Sequence, residues 1–124
     1  MKKRKGFTLI ELVMVILLLG ILAVVAIPKY FDLQNDAKDA AEKGVLGAVR
    51  AGVYTYFAKN RAYPATLDGA STGVCSSTTT PCFDNVLAQG GISDSSWQKT
   101  SATVYRGPAN ATAYTYNVTT GEFK

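Results

Sequence analysis

From Phe7 to Ile27 the chain runs through 21 residues of which only Thr8, Glu11 and Gly20 are not plainly apolar. Coiled into a helix, that run is ~32 Å long, enough to cross the hydrocarbon layer of a bilayer. It predicts a membrane-spanning helix with one ionisable group inside it, Glu11. A carboxylate there costs on the order of 3 kcal/mol even on the lenient insertion scale, so its presence asks for a role.

The flanks say how the run is used. Lys2, Lys3, Arg4 and Lys5 stand directly before Gly6, whereas Pro28-Lys29-Tyr30-Phe31-Asp32 follow the run. A secretory signal would carry a small-residue cleavage triplet after its apolar segment, and none is present. The obvious processing point therefore lies before the run, at Gly6. Cutting there keeps the helix and makes Phe7 the new amino terminus. Cations ahead of the span put the N-terminus in the cytoplasm and everything after Pro28 outside. The formal charge of +4 comes from 13 Lys and Arg against 9 Asp and Glu, and four of the cations sit in the first six residues. The remainder is formally neutral. Basicity here is a topology signal and no pointer to a nucleic-acid partner.

At these residues the chain resembles a known family. Lys5-Gly6-Phe7-Thr8-Leu9-Ile10-Glu11-Leu12 looks like the leader junction of type IV pilins and type II secretion pseudopilins. The resemblance implies that a prepilin peptidase cuts between Gly6 and Phe7 and that Phe7 is N-methylated. It makes Glu11 the family's assembly glutamate, acting together with Phe7. Gly20 and Pro28 fall where the family keeps its helix-weakening residues. The run from Pro28 through Ala41 is similar to pilins of the mannose-sensitive haemagglutinin type.

Beyond Pro28 an amphipathic helix is expected. Ala37, Ala41, Val45, Ala48, Val49, Gly52, Val53 and Tyr56 make its apolar stripe, and Asp32, Asp36, Lys38, Asp39, Glu42, Lys43 and Arg50 its solvated face. Tyr63-Pro64 closes the helical region. Residues 65–81 read as a loop, Phe83–Gly91 as one short helix, and Trp97–Arg106 and Thr112–Val118 as strand-like runs. Glu122-Phe123-Lys124 returns as a further short strand. Together these predict an α+β fold. Its long N-terminal α-helix, membrane-spanning in the first half and amphipathic in the second, packs on a small antiparallel β-sheet. Residues 1–6 are then a leader, 7–28 the transmembrane and filament-core helix, and 29–124 a periplasmic or extracellular globular domain that includes the second half of the helix.

Cys75 and Cys82 enclose a polar run and lie in the part assigned to an oxidising compartment, so they are expected to form a disulfide. Free thiols or a metal pair are the alternatives, but the chain has no His and no third Cys to complete a site. Without His there is no Ser-His triad, and no phosphate-cradling glycine loop is present. Major pseudopilins hold calcium through carboxylates near the C-terminus; after residue 85 only Asp94 and Glu122 offer one. Asn110-Ala111-Thr112 and Asn117-Val118-Thr119 match the glycosylation sequon. No cofactor, metal or catalytic residue is assigned.

The resemblance implies a structural subunit of a type IV pilus-like filament. Its partners would be copies of itself in a helical fibre, the prepilin peptidase, a pilus or secretion assembly platform and the bacterial inner membrane. The subunit would wait in that membrane, then enter a periplasm-spanning or cell-surface filament. Two alternatives stand beside this: a type II secretion pseudopilin forming a periplasmic piston, and a signal-anchored periplasmic binding domain or enzyme.

Overall fold

A computed structural model describes residues 3, 5–76, 80–109 and 112–124. Asn110 of the first sequon and leader residues Lys2 and Arg4 lie outside the described residues. The order of elements is α1 (Leu9–Asn60), β1 (Gly73–Val74), β2 (Gln98–Ser101), β3 (Val104–Arg106) and β4 (Ala113–Thr115). This is an α+β fold with one long apolar N-terminal helix. Two compact units divide the chain, residues 1–36 and 37–124, and α1 contributes to both.

In the first unit the large apolar residues of α1 are exposed. Leu9, Val13, Ile16, Leu17, Ile21 and Val24 are all at least half exposed or close to it, and Leu9 reaches 83 %. Each large aliphatic side chain left in water forfeits roughly 1.5–3 kcal/mol of burial free energy. A helix of this length and composition is able to cross a membrane.

In the second unit, α1 and the sheet share one core. Leu46, Val49 and Val53 from the helix meet Leu67, Phe83, Trp97, Tyr105, Tyr116, Phe123 and the Cys75–Cys82 pair. The strands form a meander in the order β1-β2-β3-β4, every pairing antiparallel. Lys99 faces Tyr105, and Tyr105 faces Tyr114, so one line of residues crosses three strands. The C-terminus returns as predicted: Tyr116 bridges Phe123, and Thr115 exchanges two backbone bonds with Lys124.

The helix face differs from the expected stripe. Ala37, Ala41 and Ala48 are exposed, while Leu46 and Glu42 are buried. Small alanines bury little area, and Leu46 wins the core side of the helix by size. Glu42, expected on the solvated face, turns inward, where the Ala109 N–H donates to its carboxylate. On the solvated face Asp39 and Lys43 form an exposed pair at 2.6 Å, worth a few tenths of a kcal/mol.

Phe83–Gly91 is a chain of turns rather than a helix. Phe83 adopts φ 64°, a left-handed conformation that costs roughly 1–2 kcal/mol for such a residue. Its ring is the hub of the core, with centroids 5.3 Å from Trp97, 4.6 Å from Tyr105 and 5.6 Å from Phe123. Burying that ring returns roughly 1.5–3 kcal/mol, enough to offset the strain. Cys82 and Ile92 then exchange backbone bonds and close the segment into a loop. The run Trp97–Arg106 is two strands, β2 and β3, folded back at residues 102–103. Part of the expected loop, Gly73–Val74, is the edge strand β1, because Cys75 N–H bonds to the Trp97 carbonyl at 2.9 Å and extends the ladder.

Gly52 lets the helix and the Asn85–Ala88 loop touch: a Cβ there would fall 2.1 Å from the Val86 carbonyl oxygen.

Candidate functional site at the amino-terminal end of the helix

Gly6 and Phe7 lie just outside α1, and both are exposed, Phe7 at 90 %. A peptide bond flanked by open, irregular chain is the geometry a peptidase needs. Thr8 is the helix cap. Its carbonyl accepts from Leu12 N–H at 3.2 Å, the first helical bond. Its backbone N–H donates to Glu11 Oε2 at 2.9 Å, and Glu11 N–H donates to Thr8 Oγ1 at 3.3 Å. This reciprocal pair is a capping box, satisfying two donors that a helix start leaves orphaned. The T-x-x-E spacing of Thr8 and Glu11 signals it in the sequence, a local role for Glu11 beside the one the resemblance implies.

The box has a consequence for chemistry. It fixes the Glu11 carboxylate beside the helix start, close to the Phe7 nitrogen along the chain. A carboxylate offers about four acceptor positions, so the bond to Thr8 leaves it able to accept more. Phe7 nitrogen is still in peptide linkage to Gly6, and the charged amine that Glu11 is expected to meet does not exist before cleavage.

Farther along, α1 continues through Gly20 and Pro28. Pro28 has no N–H for the Val24 carbonyl. Cys75 and Cys82 form the expected disulfide, with Cα atoms 5.4 Å apart and both residues buried. Closing so short a loop contributes roughly 2–3 kcal/mol on the chain-entropy model.

The globular unit holds two buried charge clusters that sequence reasoning missed. Glu42, 2 % exposed, accepts from Ala109 N–H at 2.9 Å. Gly107 makes room for it, since a Cβ there would overlap the carboxylate. A side-chain bond to Glu42, with burial second, pushes the Tyr114 hydroxyl up to about 12. The second cluster pairs Lys99 with Asp68. Lys99 Nζ donates to Asp68 Oδ1 and to the Ala70 carbonyl at 2.8 Å, and sits 5.7 Å from the centre of the Tyr105 ring. Asp68 also accepts from Phe83 and Ala70 N–H, each at 3.2 Å. Burial first, then the Asp68 charge, pushes the Tyr105 hydroxyl well above the usual phenol range. Of the late carboxylates, Asp94 is taken up by Ser96, whose bonds hold it below the usual range, and Glu122 pairs with Lys124 at 2.9 Å.

A family described as the prokaryotic N-terminal methylation motif matches residues 1–27, the segment that contains Gly6, Phe7, Thr8 and Glu11. The chain is 38 % identical over 68 residues to type II secretion system core protein G of Pseudomonas aeruginosa, covering 55 % of this chain and 48 % of that one. It is also 39 % identical over 74 residues to the type IV major pilin protein PilE of Neisseria gonorrhoeae, covering 60 % and 43 %. The chain is thus similar at its N-terminal segment to the methylation-motif family, and over 55–60 % of its length to a type II secretion core protein and a type IV pilin.

A third relative, fimbrial protein EcpC of Eikenella corrodens, is 37 % identical over 71 residues, covering 57 % of this chain and 45 % of EcpC. The chain spans less than half the length of these curated relatives. No solved structure matches significantly. The names of these three relatives are those of pilins, fimbrial proteins and a secretion component; none names an enzymatic activity.

Proposed function

We propose that the chain is a structural subunit of a type IV pilus-like filament and not an enzyme. A prepilin peptidase removes residues 1–6 and N-methylates Phe7, and the mature subunit waits in the bacterial inner membrane until an assembly platform inserts it into the fibre. One observation carries the reading: an exposed junction at Gly6–Phe7 opens directly into an apolar helix whose first turn presents Glu11. In the fibre, residues such as Leu9, Val13, Ile16 and Leu17 bury against neighbouring subunits the surface that the isolated helix exposes. Cleavage creates a Phe7 amine with an ordinary pKa near ~8, largely protonated at neutral pH. Glu11 pairs with that amine on a neighbouring subunit. In a low-dielectric core, each charge left unpaired is penalised heavily, so pairing selects one axial register. Gly20, weaker than Ala by ~1 kcal/mol in a helix, lets the segment before Pro28 unwind as subunits pack.

Glu11→Val tests the reading. The variant enters the membrane, is cleaved normally, and fails to enter filaments. Normal fibres built from Glu11→Val subunits alone would remove the charge-pair mechanism.

A second reading keeps its place because of one observation, the 38 % identity to a type II secretion core protein. It makes the filament a short periplasmic piston built by the same steps.

A further inference from the structure

Tyr30 and Phe31 are the first aromatic residues after Phe7. They are 61 % and 59 % exposed on α1, just past the point where the apolar run gives way to Pro28 and Lys29. Asp32 and Asp36 follow at once. Because the helix continues through Pro28, depth along it is counted at 1.5 Å per residue. Tyr30 lies ~4–5 Å beyond Ile27, and Glu11 lies ~28 Å back from Tyr30. The hydrocarbon layer is about 30 Å thick.

These lengths fit together in one way. With Tyr30 and Phe31 at one edge of the hydrocarbon layer, Glu11 comes to its opposite edge. An amphipathic ring such as that of Tyr30 is favoured at that depth, where its apolar body meets hydrocarbon and its hydroxyl meets water; Phe31 beside it supplies apolar area alone. Lys29 adds a cation at the level of the lipid phosphates. We infer that Lys29, Tyr30 and Phe31 form a collar seated in the headgroup layer of the outer leaflet. The collar sets the depth of the helix and thereby holds Glu11 at the inner boundary. The occupant of this exposed surface is lipid, because it is continuous with the apolar span that lipid covers. The inference rests on the reading of 7–28 as a membrane span and is independent of whether filaments form.

The test uses the full chain in vesicles of phosphatidylethanolamine and phosphatidylglycerol. Tyr30→Trp supplies a reporter, and the emission of Trp97, measured in the unmodified chain, is subtracted. A nitroxide on the lipid headgroup should quench position 30 more strongly than one at the end of the acyl chain. Stronger quenching by the deep nitroxide, or none by either, overturns the collar; the second result is also what cover by another copy of the chain would give. Met14→Trp reports the other end of the span. Adding Tyr30→Ala and Phe31→Ala should change its ratio of shallow to deep quenching, and an unchanged ratio overturns the depth-setting role. Flotation of the unmodified chain with the vesicles checks the span separately: if it does not float, the anchor itself is refuted.

Discussion

Replacing Lys99 by methionine removes one charge from a pair that water does not reach. The Lys99 and Asp68 side chains are 6 % and 0 % exposed. Methionine keeps most of the aliphatic stem, so little packing is lost. What remains is a buried carboxylate that still accepts from the Phe83 and Ala70 N–H groups. Breaking a buried pair this way costs about 3–5 kcal/mol, and the two surviving bonds place Lys99→Met near the lower figure. Stability of about 0.05–0.15 kcal/mol per residue gives the globular unit on the order of 4–13 kcal/mol, so the loss is a large share of the total. Urea unfolding of the full chain in detergent, followed by the emission of buried Trp97, reads the change directly. Asp68→Asn combined with Lys99→Met should be less destabilised than the sum of the two single changes, because no charge is left unpaired. A Lys99→Met midpoint equal to that of the parent would refute the buried-pair reasoning.

Other expectations follow from the same structure. Gly6→Leu should leave full-length, unassembled protein in the membrane; mature-sized protein from that variant would refute cleavage at Gly6. Tyr105, Tyr114 and Tyr116 are raised above the ordinary phenol value, Tyr114 to about 12. The unfolded chain therefore ionises first, near pH ~10. Their contribution to stability is full below that pH and is lost as pH rises toward the folded values. Tyrosinate absorbance should show these three titrating after the exposed tyrosines, and one common transition near the ordinary value would contradict their environment. In a filament map, helical density should fail between Gly20 and Pro28; continuous density through residues 21–27 would refute unwinding there.

The first half of this molecule was legible because its constraint is one-dimensional. Twenty-one residues with a lone glutamate, a basic block before them and a proline after them admit few readings. The disulfide was legible because the two cysteines enclose a short polar run in the part of the chain assigned to an oxidising compartment. The second half depended on tertiary choices that local rules do not contain. Glu42 looked like a surface charge because its partner, Ala109 N–H, is 67 residues away. Leu46 displaced the alanines from the core face by bulk. Phe83 broke a helical pattern because its ring was needed among Trp97, Tyr105 and Phe123. Lys99 sits in a strand among polar neighbours, and nothing in β2 announces that Asp68 waits beneath it. At the helix start the capping box is readable from the T-x-x-E spacing of Thr8 and Glu11.

The most direct measurement is electron microscopy of sheared cell-surface material, with mass spectrometry of the subunits it contains. A filament subunit predicts thin fibres in which the N-terminal peptide of this chain begins at an N-methylated Phe7. Fibres without the chain, together with a full-length, monomeric form still carrying residues 1–6 in the membrane, would contradict it.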